Sequence, residues 1–103
     1  MTMAIELSGP VTIRNIATLH QQLTQACDGA IDVTVDLAAI GEVDLSFVQT
    51  IHAARRAVAD AGRVLRLVVP APAHVADLLD RAGFLAAPTR DDLDFWFHGE
   101  LPQ

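Results

Sequence analysis

The feature that most constrains the fold is the alternation of apolar and polar side chains in IDVTVDL at positions 31–37. Apolar side chains, three of them β-branched, alternate there with Asp or Thr, and a period of two places all the apolar ones on one face of a β-strand. From Val48 to Val58 the period changes, and apolar residues recur every three or four positions, which predicts an amphipathic helix. A strand followed directly by a helix is the basic unit of an α/β fold.

The same order of elements recurs along the chain. The segment from Asn15 to Cys27 predicts a helix before this strand, RVLRLVV at 63–69 predicts a later strand, and PAPAHVADLLDRAGF at 70–84 predicts a third helix. Near the N-terminus, MAIELSG and PVTI are separated by Gly9 and Pro10, which predicts a hairpin-like start. We therefore expect an α/β fold with its core between a mixed sheet and its helices.

Composition predicts one domain over residues 1–103, because 103 residues with 51% hydrophobic content can build one core. No apolar run is long enough to span a bilayer and the start lacks a basic signal segment, so we expect a cytoplasmic protein. Cys27 is the single cysteine, and the four histidines share no ligand-like spacing with it. We expect no metal site and no cofactor.

The formal net charge is -6, from 13 acidic residues against seven arginines. Such an excess of negative charge argues against binding to a phosphate backbone, so we expect no nucleic-acid partner. Arg55 and Arg56 form the one local basic pair, which we interpret as part of a solvated helix face.

The segment VDLSFVQTI at 43–51 places an acid and a hydroxyl where the strand gives way to the helix. Asp44 or Ser46 can cap the unpaired N–H groups of that helix, and the same position can hold a phosphate. A serine nucleophile would need a nearby histidine and a glycine-rich turn, but Phe47 stands where such a turn requires glycine. The sequence therefore predicts no catalytic residue and no enzyme.

Three aromatic residues stand together among acids near the C-terminus, in DDLDFWFHGE. Phe95, Trp96 and Phe97 either close the core as a final strand or helix, or mediate self-association as a homodimer. Core closure is the favoured interpretation, because three aromatic rings left in water promote aggregation.

The segment from Val33 to Phe84 resembles the STAS domain, the family of bacterial anti-sigma factor antagonists and of the cytoplasmic portions of sulfate transporters. The similarity rests on the pair Asp36-Leu37, the turn at Asp44, Gln49 in the next helix and the final PAPAHVADLLDRAGF. It extends upstream through LSGPVTIRNIATLHQQL and covers residues 5–85, which leaves 86–103 as a C-terminal extension.

This resemblance implies a mixed sheet of four to five strands with helices mostly on one face, and a non-enzymatic role in signal transduction through protein–protein interaction. In the switching members, a Ser or Thr directly after the turn aspartate is phosphorylated by an anti-sigma factor kinase. The unmodified form binds that kinase and releases a sigma factor, which regulates transcription. Here Leu45 occupies the phosphoacceptor position, Ser46 follows one position later, and Phe47 replaces a glycine.

The resemblance places a partner-binding surface at the turn, comprising Asp44, Leu45, Ser46, Phe47 and Gln49. Whether the two apolar members, Leu45 and Phe47, fill the core or form an exposed patch stays open. The leading hypothesis is docking to an anti-sigma factor kinase or another signalling protein, without phosphorylation at the usual position. One alternative is an accessory subunit on the cytoplasmic side of an ABC-type lipid transport complex, and another is a phospho-switch that uses Ser46.

Overall fold

The computed structural model describes residues 2–28, 32–86 and 89–99. Its elements are β1 (Thr2–Val11), α1 (Ile16–Asp28), β2 (Asp32–Val43), α2 (Leu45–Asp60), β3 (Leu65–Leu67), α3 (Ala73–Arg81) and α4 (Arg90–Phe97). The predicted α/β class is confirmed. In these ranges no helix is both long and apolar enough to cross a membrane.

The three strands form one sheet in the order β1-β2-β3, and both neighbouring pairs are parallel. Within the described ranges the sheet has three strands and no antiparallel pair, so the mixed sheet of four to five strands is not confirmed. Because β1 and β2 run in the same direction, the loops that follow them leave from the same edge of the sheet. That edge carries the candidate site.

The hairpin-like start predicted at Gly9 and Pro10 is wrong. β1 instead runs on as one strand that pairs with β2, with irregularities in register between Glu6 and Ser8 and between Gly9 and Val11. Gly9 has φ +70, a conformation that glycine adopts without steric cost, and it lies at the second irregularity. Proline is tolerated beside it because β1 is an edge strand. The two residues therefore bend a strand and do not reverse the chain.

Burial alternates along the strands, so one face of the sheet belongs to the core. In β2, Val33, Val35 and Leu37 are fully buried, whereas Thr34 and Asp36 between them are half-buried. The facing helix α2 contributes the buried side chains Phe47, Val48, Ile51, Ala54 and Val58. The strand period and the helix period predicted from the sequence are both confirmed.

The C-terminal aromatic residues complete this core. Phe95, Trp96 and Phe97 all lie in α4 and are all buried. The Trp96 ring packs edge-on against Phe95, with centroids 4.9 Å apart, and against Phe47, with centroids 6.3 Å apart. Core closure by a final helix is confirmed. A homodimer through Phe95, Trp96 and Phe97 is wrong, because the rings are already covered by their own chain.

Arg55 holds α4 against α2. Its guanidinium carbon lies 4.2 Å from the centre of the Phe95 ring, and its Nη1 lies 3.2 Å from Oδ1 of Asp92. Asp92 also exchanges hydrogen bonds with Thr89 in a capping box at the start of α4. The interpretation of Arg55 as a solvated residue is therefore wrong, since it joins two helices that are distant in sequence.

We predict that Phe47→Ala lowers the free energy of unfolding by about 3–5 kcal/mol, because the ring is 0% exposed and its removal leaves a cavity beside Trp96. Phe84→Ala is the matched control, because that ring is 42% exposed, and its expected loss is below about 1 kcal/mol. Urea unfolding followed by the fluorescence of the single tryptophan measures both. Equal losses in the two variants would contradict the assignment of Phe47 to the core.

Candidate functional site

The turn between β2 and α2 is organised by the carboxylate of Asp44. Asp44 has an extended backbone, with φ -134 and ψ -175, and is the N-cap of α2. Its Oδ1 accepts a hydrogen bond from the backbone N–H of Ser46 at 3.1 Å and another from the Ser46 hydroxyl. The capping role predicted for this turn is confirmed, with Asp44 as the acceptor.

The second carboxylate oxygen reaches the loop that follows β1. Oδ2 of Asp44 accepts the backbone N–H of Ile13 at 2.8 Å. That loop is also fixed internally, because Oδ1 of Asn15 accepts the N–H of Thr12 and Nδ2 of Asn15 donates to the carbonyl of Pro10, both at 2.8 Å. A single side chain therefore ties the end of β1 to the start of α2.

These hydrogen bonds lower the pKa of Asp44 below its ordinary value. The hydroxyl of Ser46 makes the largest contribution, followed by the backbone N–H of Ile13. The helix N-terminus also favours a negative charge at this position. The turn therefore carries a fixed carboxylate whose hydrogen-bonding capacity is largely used within the chain.

Four of the five residues predicted to bind a partner reach the surface. Leu45 is 44% exposed, Gln49 is exposed, and Asp44 and Ser46 are half-buried. Leu45 directly follows the N-cap Asp44 in the chain and is the first residue of α2. The turn therefore presents a large apolar side chain at the surface, directly after the helix cap.

Phe47 does not reach the surface. It is fully buried and shares the inner face of α2 with Ile51, four positions later. The prediction that Phe47 contacts a partner is corrected, because a ring on this face fills the core and cannot touch another protein. Of the two apolar residues at the turn, Phe47 therefore fills the core and Leu45 is exposed.

Sequence reasoning missed Ile13, which is 71% exposed. The hydrogen bond from its backbone N–H to Asp44 holds Ile13 at the turn, and the next residue after Asp44 is the exposed Leu45. The available signal was an isolated isoleucine between Thr12 and Arg14, but the predicted hairpin assigned it to a strand. We call the set Ile13, Asp44, Leu45, Ser46 and Gln49 the turn surface.

The turn does not have the arrangement of an activated serine. The Ser46 hydroxyl donates to Asp44, whereas a serine nucleophile requires a histidine as its base. The histidine of α3 that comes near this edge, His74, places its Nε2 2.8 Å from the carbonyl oxygen of Gly41. Across the described ranges, no group of three or more His, Cys, Asp or Glu residues is positioned to hold a metal ion.

We predict that Asp44→Asn lowers the free energy of unfolding by about 1 kcal/mol at neutral pH, because it removes the charge from the hydrogen bonds and from the helix N-terminus. The folded-state pKa of Asp44 is depressed, so its contribution is present above the unfolded pKa and is lost as pH falls through the folded pKa. The difference between the two proteins should therefore shrink below about pH 4.

Urea unfolding at a series of pH values measures this difference. Glu6→Gln is the control, since Glu6 is exposed on β1 and its carboxylate bonds to no described residue. A difference between wild type and Asp44→Asn that stays constant down to about pH 2 would contradict the assigned role of the Asp44 charge.

Comparison with known proteins supports this fold and identifies the family of the chain. A family model described as "Mlab, STAS domain" matches residues 1–86. Among solved structures, the chain is similar to a sulfate transporter family protein from Wolinella succinogenes, with a TM-score of 0.63 and 15% identity. That similarity covers 88% of this chain and 74% of the other. No curated protein sequence gives a significant match. The family match covers most of the chain and confirms the predicted resemblance, so the chain belongs to the STAS domain family.

Proposed function

We propose that this STAS domain is a non-enzymatic regulatory protein that docks a partner protein on the turn surface, and that docking does not depend on phosphorylation. The observation that carries the proposal is the 44% exposed Leu45 at the position where switching relatives carry a phosphoacceptor. Leucine has no hydroxyl, so this position contributes to binding through apolar contact alone. A cytoplasmic location fits the partner classes considered below.

A single exposed leucine is ordinary on a protein surface. The turn surface has a second apolar member, Ile13, and the backbones of both residues lie in a turn held by hydrogen bonds. A backbone that hydrogen bonds already hold loses little conformational entropy on binding, and covering apolar surface contributes about 25 cal/mol per Å². Two exposed apolar residues bordered by Asp44, Ser46 and Gln49 match the usual pattern of an apolar interface centre with a polar rim.

The first partner class is an anti-sigma factor kinase or a related signalling protein. In that case the protein acts as an antagonist without the usual means of inactivation, because Leu45 cannot accept a phosphate. Binding would then be controlled by the amount of either protein.

The second partner class is a membrane-transport complex, in which the domain is an accessory subunit of an ABC-type lipid transporter. The leucine at position 45 favours this class, since a permanent subunit needs no phosphorylation switch. Both classes use the same turn surface, and the identity of the captured protein distinguishes them.

We predict that Leu45→Asp abolishes partner capture from a detergent-solubilised lysate of the native cell, because it introduces a second carboxylate beside Asp44 and removes the apolar contact. Phe84→Asp is the matched control, as Phe84 is 42% exposed, follows α3 by three residues and lies outside the turn surface. Affinity capture read by mass spectrometry should recover the partner with wild type and with Phe84→Asp only.

The identity of the protein that is lost distinguishes the two partner classes. Selective loss of a signalling protein supports the first class, and selective loss of permease or ATPase subunits supports the second. If Leu45→Asp retains every protein that wild type captures while its unfolding curve is unchanged, the turn surface is not the docking site.

We also predict that Ser46 stays unphosphorylated when the protein is isolated from its native cell or incubated with a captured kinase. Its hydroxyl donates to Asp44, and a phosphate would replace that donor with a group of charge about -2 beside a carboxylate. Intact-mass and peptide mass spectrometry measure the modification, with Ser46→Ala as the blank. A phosphate on Ser46 that releases the partner would support the phospho-switch hypothesis and contradict docking that is independent of phosphorylation.

A further inference from the structure

The outer edge of β1 has unpaired backbone groups. Within the described ranges, β1 is the first strand of the sheet and pairs with β2 alone. The N–H of Val33 donates to the carbonyl of Val64, so the backbone of Val33 faces β3 and that of the next residue, Thr34, faces β1. Because Thr34 is the partner of Ala4, it bonds to the residues on either side of Ala4. Ala4 and, two positions later, Glu6 therefore point their N–H and carbonyl groups away from β2.

This edge is accessible. Ala4 and Glu6 are both exposed, and no described residue bonds to their N–H or carbonyl groups. Between them and the chain start, Met3 leaves 38% of a large apolar residue exposed. Natural edge strands are usually protected by short length, lysine, proline or irregular pairing. In the ten residues of β1, Pro10 and both register irregularities come after Glu6, so the first half of the strand is regular and open.

The side of the molecule around this edge is nearly free of charge. Residues 2–27, which form β1 and nearly all of α1, contain two charged residues, Glu6 and Arg14, whereas 19% of the whole chain is charged. Thr18 and Gln22 of α1 line a groove of about 260 Å³ between that helix and β1. Both side chains donate and accept hydrogen bonds without a charge. Depletion of charged residues is typical of the centre of a protein–protein interface.

The charge distribution favours a second copy of this chain as the occupant of the edge. Each chain has a formal net charge of -6, so many contacts between two copies would bring carboxylates together. The strand β1 contributes a single carboxylate, that of Glu6. An antiparallel pairing about a two-fold axis at Ile5 places Glu6 opposite Ala4 of the second copy, so the two carboxylates do not face each other. The same register places the exposed Met3 opposite Leu7 of the second copy.

We propose that two copies of this chain form a dimer through antiparallel β1 strands, which joins their sheets into one continuous sheet. Ala4 of each copy and Glu6 of the other exchange main-chain hydrogen bonds, because both residues point their backbone groups outward. The start of the second copy's β1 then lies at the groove that Thr18 and Gln22 line. The inference goes beyond the proposed function and is independent of it, because the contact does not include the turn surface.

Sedimentation velocity of the full chain from about 1 μM to about 1 mM measures the dimer, whose mass is twice the 11.0 kDa of one chain. We expect wild type to dimerise in this range. Ala4→Pro should stay monomeric, because proline removes an N–H that faces the open edge and leaves the bonds to β2 in place. Circular dichroism shows whether the variant is folded. A wild type that is monomeric up to about 1 mM, or a folded Ala4→Pro that dimerises like wild type, would overturn the proposal.

Charge exchange tests the register without proline. Ala4→Glu places a carboxylate opposite Glu6 of the second copy at two symmetric positions, and we expect about tenfold weaker dimerisation. The double variant Ala4→Glu/Glu6→Lys should recover the dimer, because each introduced carboxylate then faces an ammonium group. Ala57→Glu adds the same charge at an exposed position of α2 and should dimerise like wild type. No weakening by Ala4→Glu, equal weakening by Ala57→Glu, or no recovery in the double variant would each overturn the proposal.

Discussion

The arrangement of the candidate site depends on one carboxylate with two hydrogen-bonding directions. One oxygen of Asp44 accepts both donors of Ser46 and starts α2, while the other accepts the N–H of Ile13 and fixes the loop after β1. This is geometrically available because β1 and β2 are parallel, so that their following loops meet at one edge. The side chains of Ile13 and Leu45 are thereby exposed on a turn whose backbone is held by hydrogen bonds within the chain.

Much of this organisation could be predicted from the sequence, where local periodicity decides the structure. The alternation around Val33 and Val35 predicts a strand with one buried face, and the spacing from Val48 to Val58 predicts a helix with one buried side. The acid and hydroxyl at Asp44 and Ser46 predict the cap between them. Each of these features is determined by residues close together in the chain.

The features that were missed depend on contacts between distant residues. The residue pattern does not reveal that Gly9 and Pro10 bend a parallel strand. Because the hairpin interpretation assigned Ile13 to a second strand, Ile13 was not expected at the candidate site. Phe47 packs against the Trp96 ring and Arg55 pairs with α4, and both partners lie beyond the residues 1–86 that match the family. Propensity and spacing carry no information about such pairs, because the fold alone brings them together.

The central claim is that the turn surface touches the partner directly, and site-specific photocrosslinking in the native cell tests this most directly. A photoreactive phenylalanine analogue replaces Leu45 in one version of the protein and Phe84 in another, since both positions are exposed. The account predicts a covalent adduct with one partner protein from position 45 and none with that protein from position 84. An adduct with the same partner from position 84 alone would contradict it, because docking would then occur on another surface.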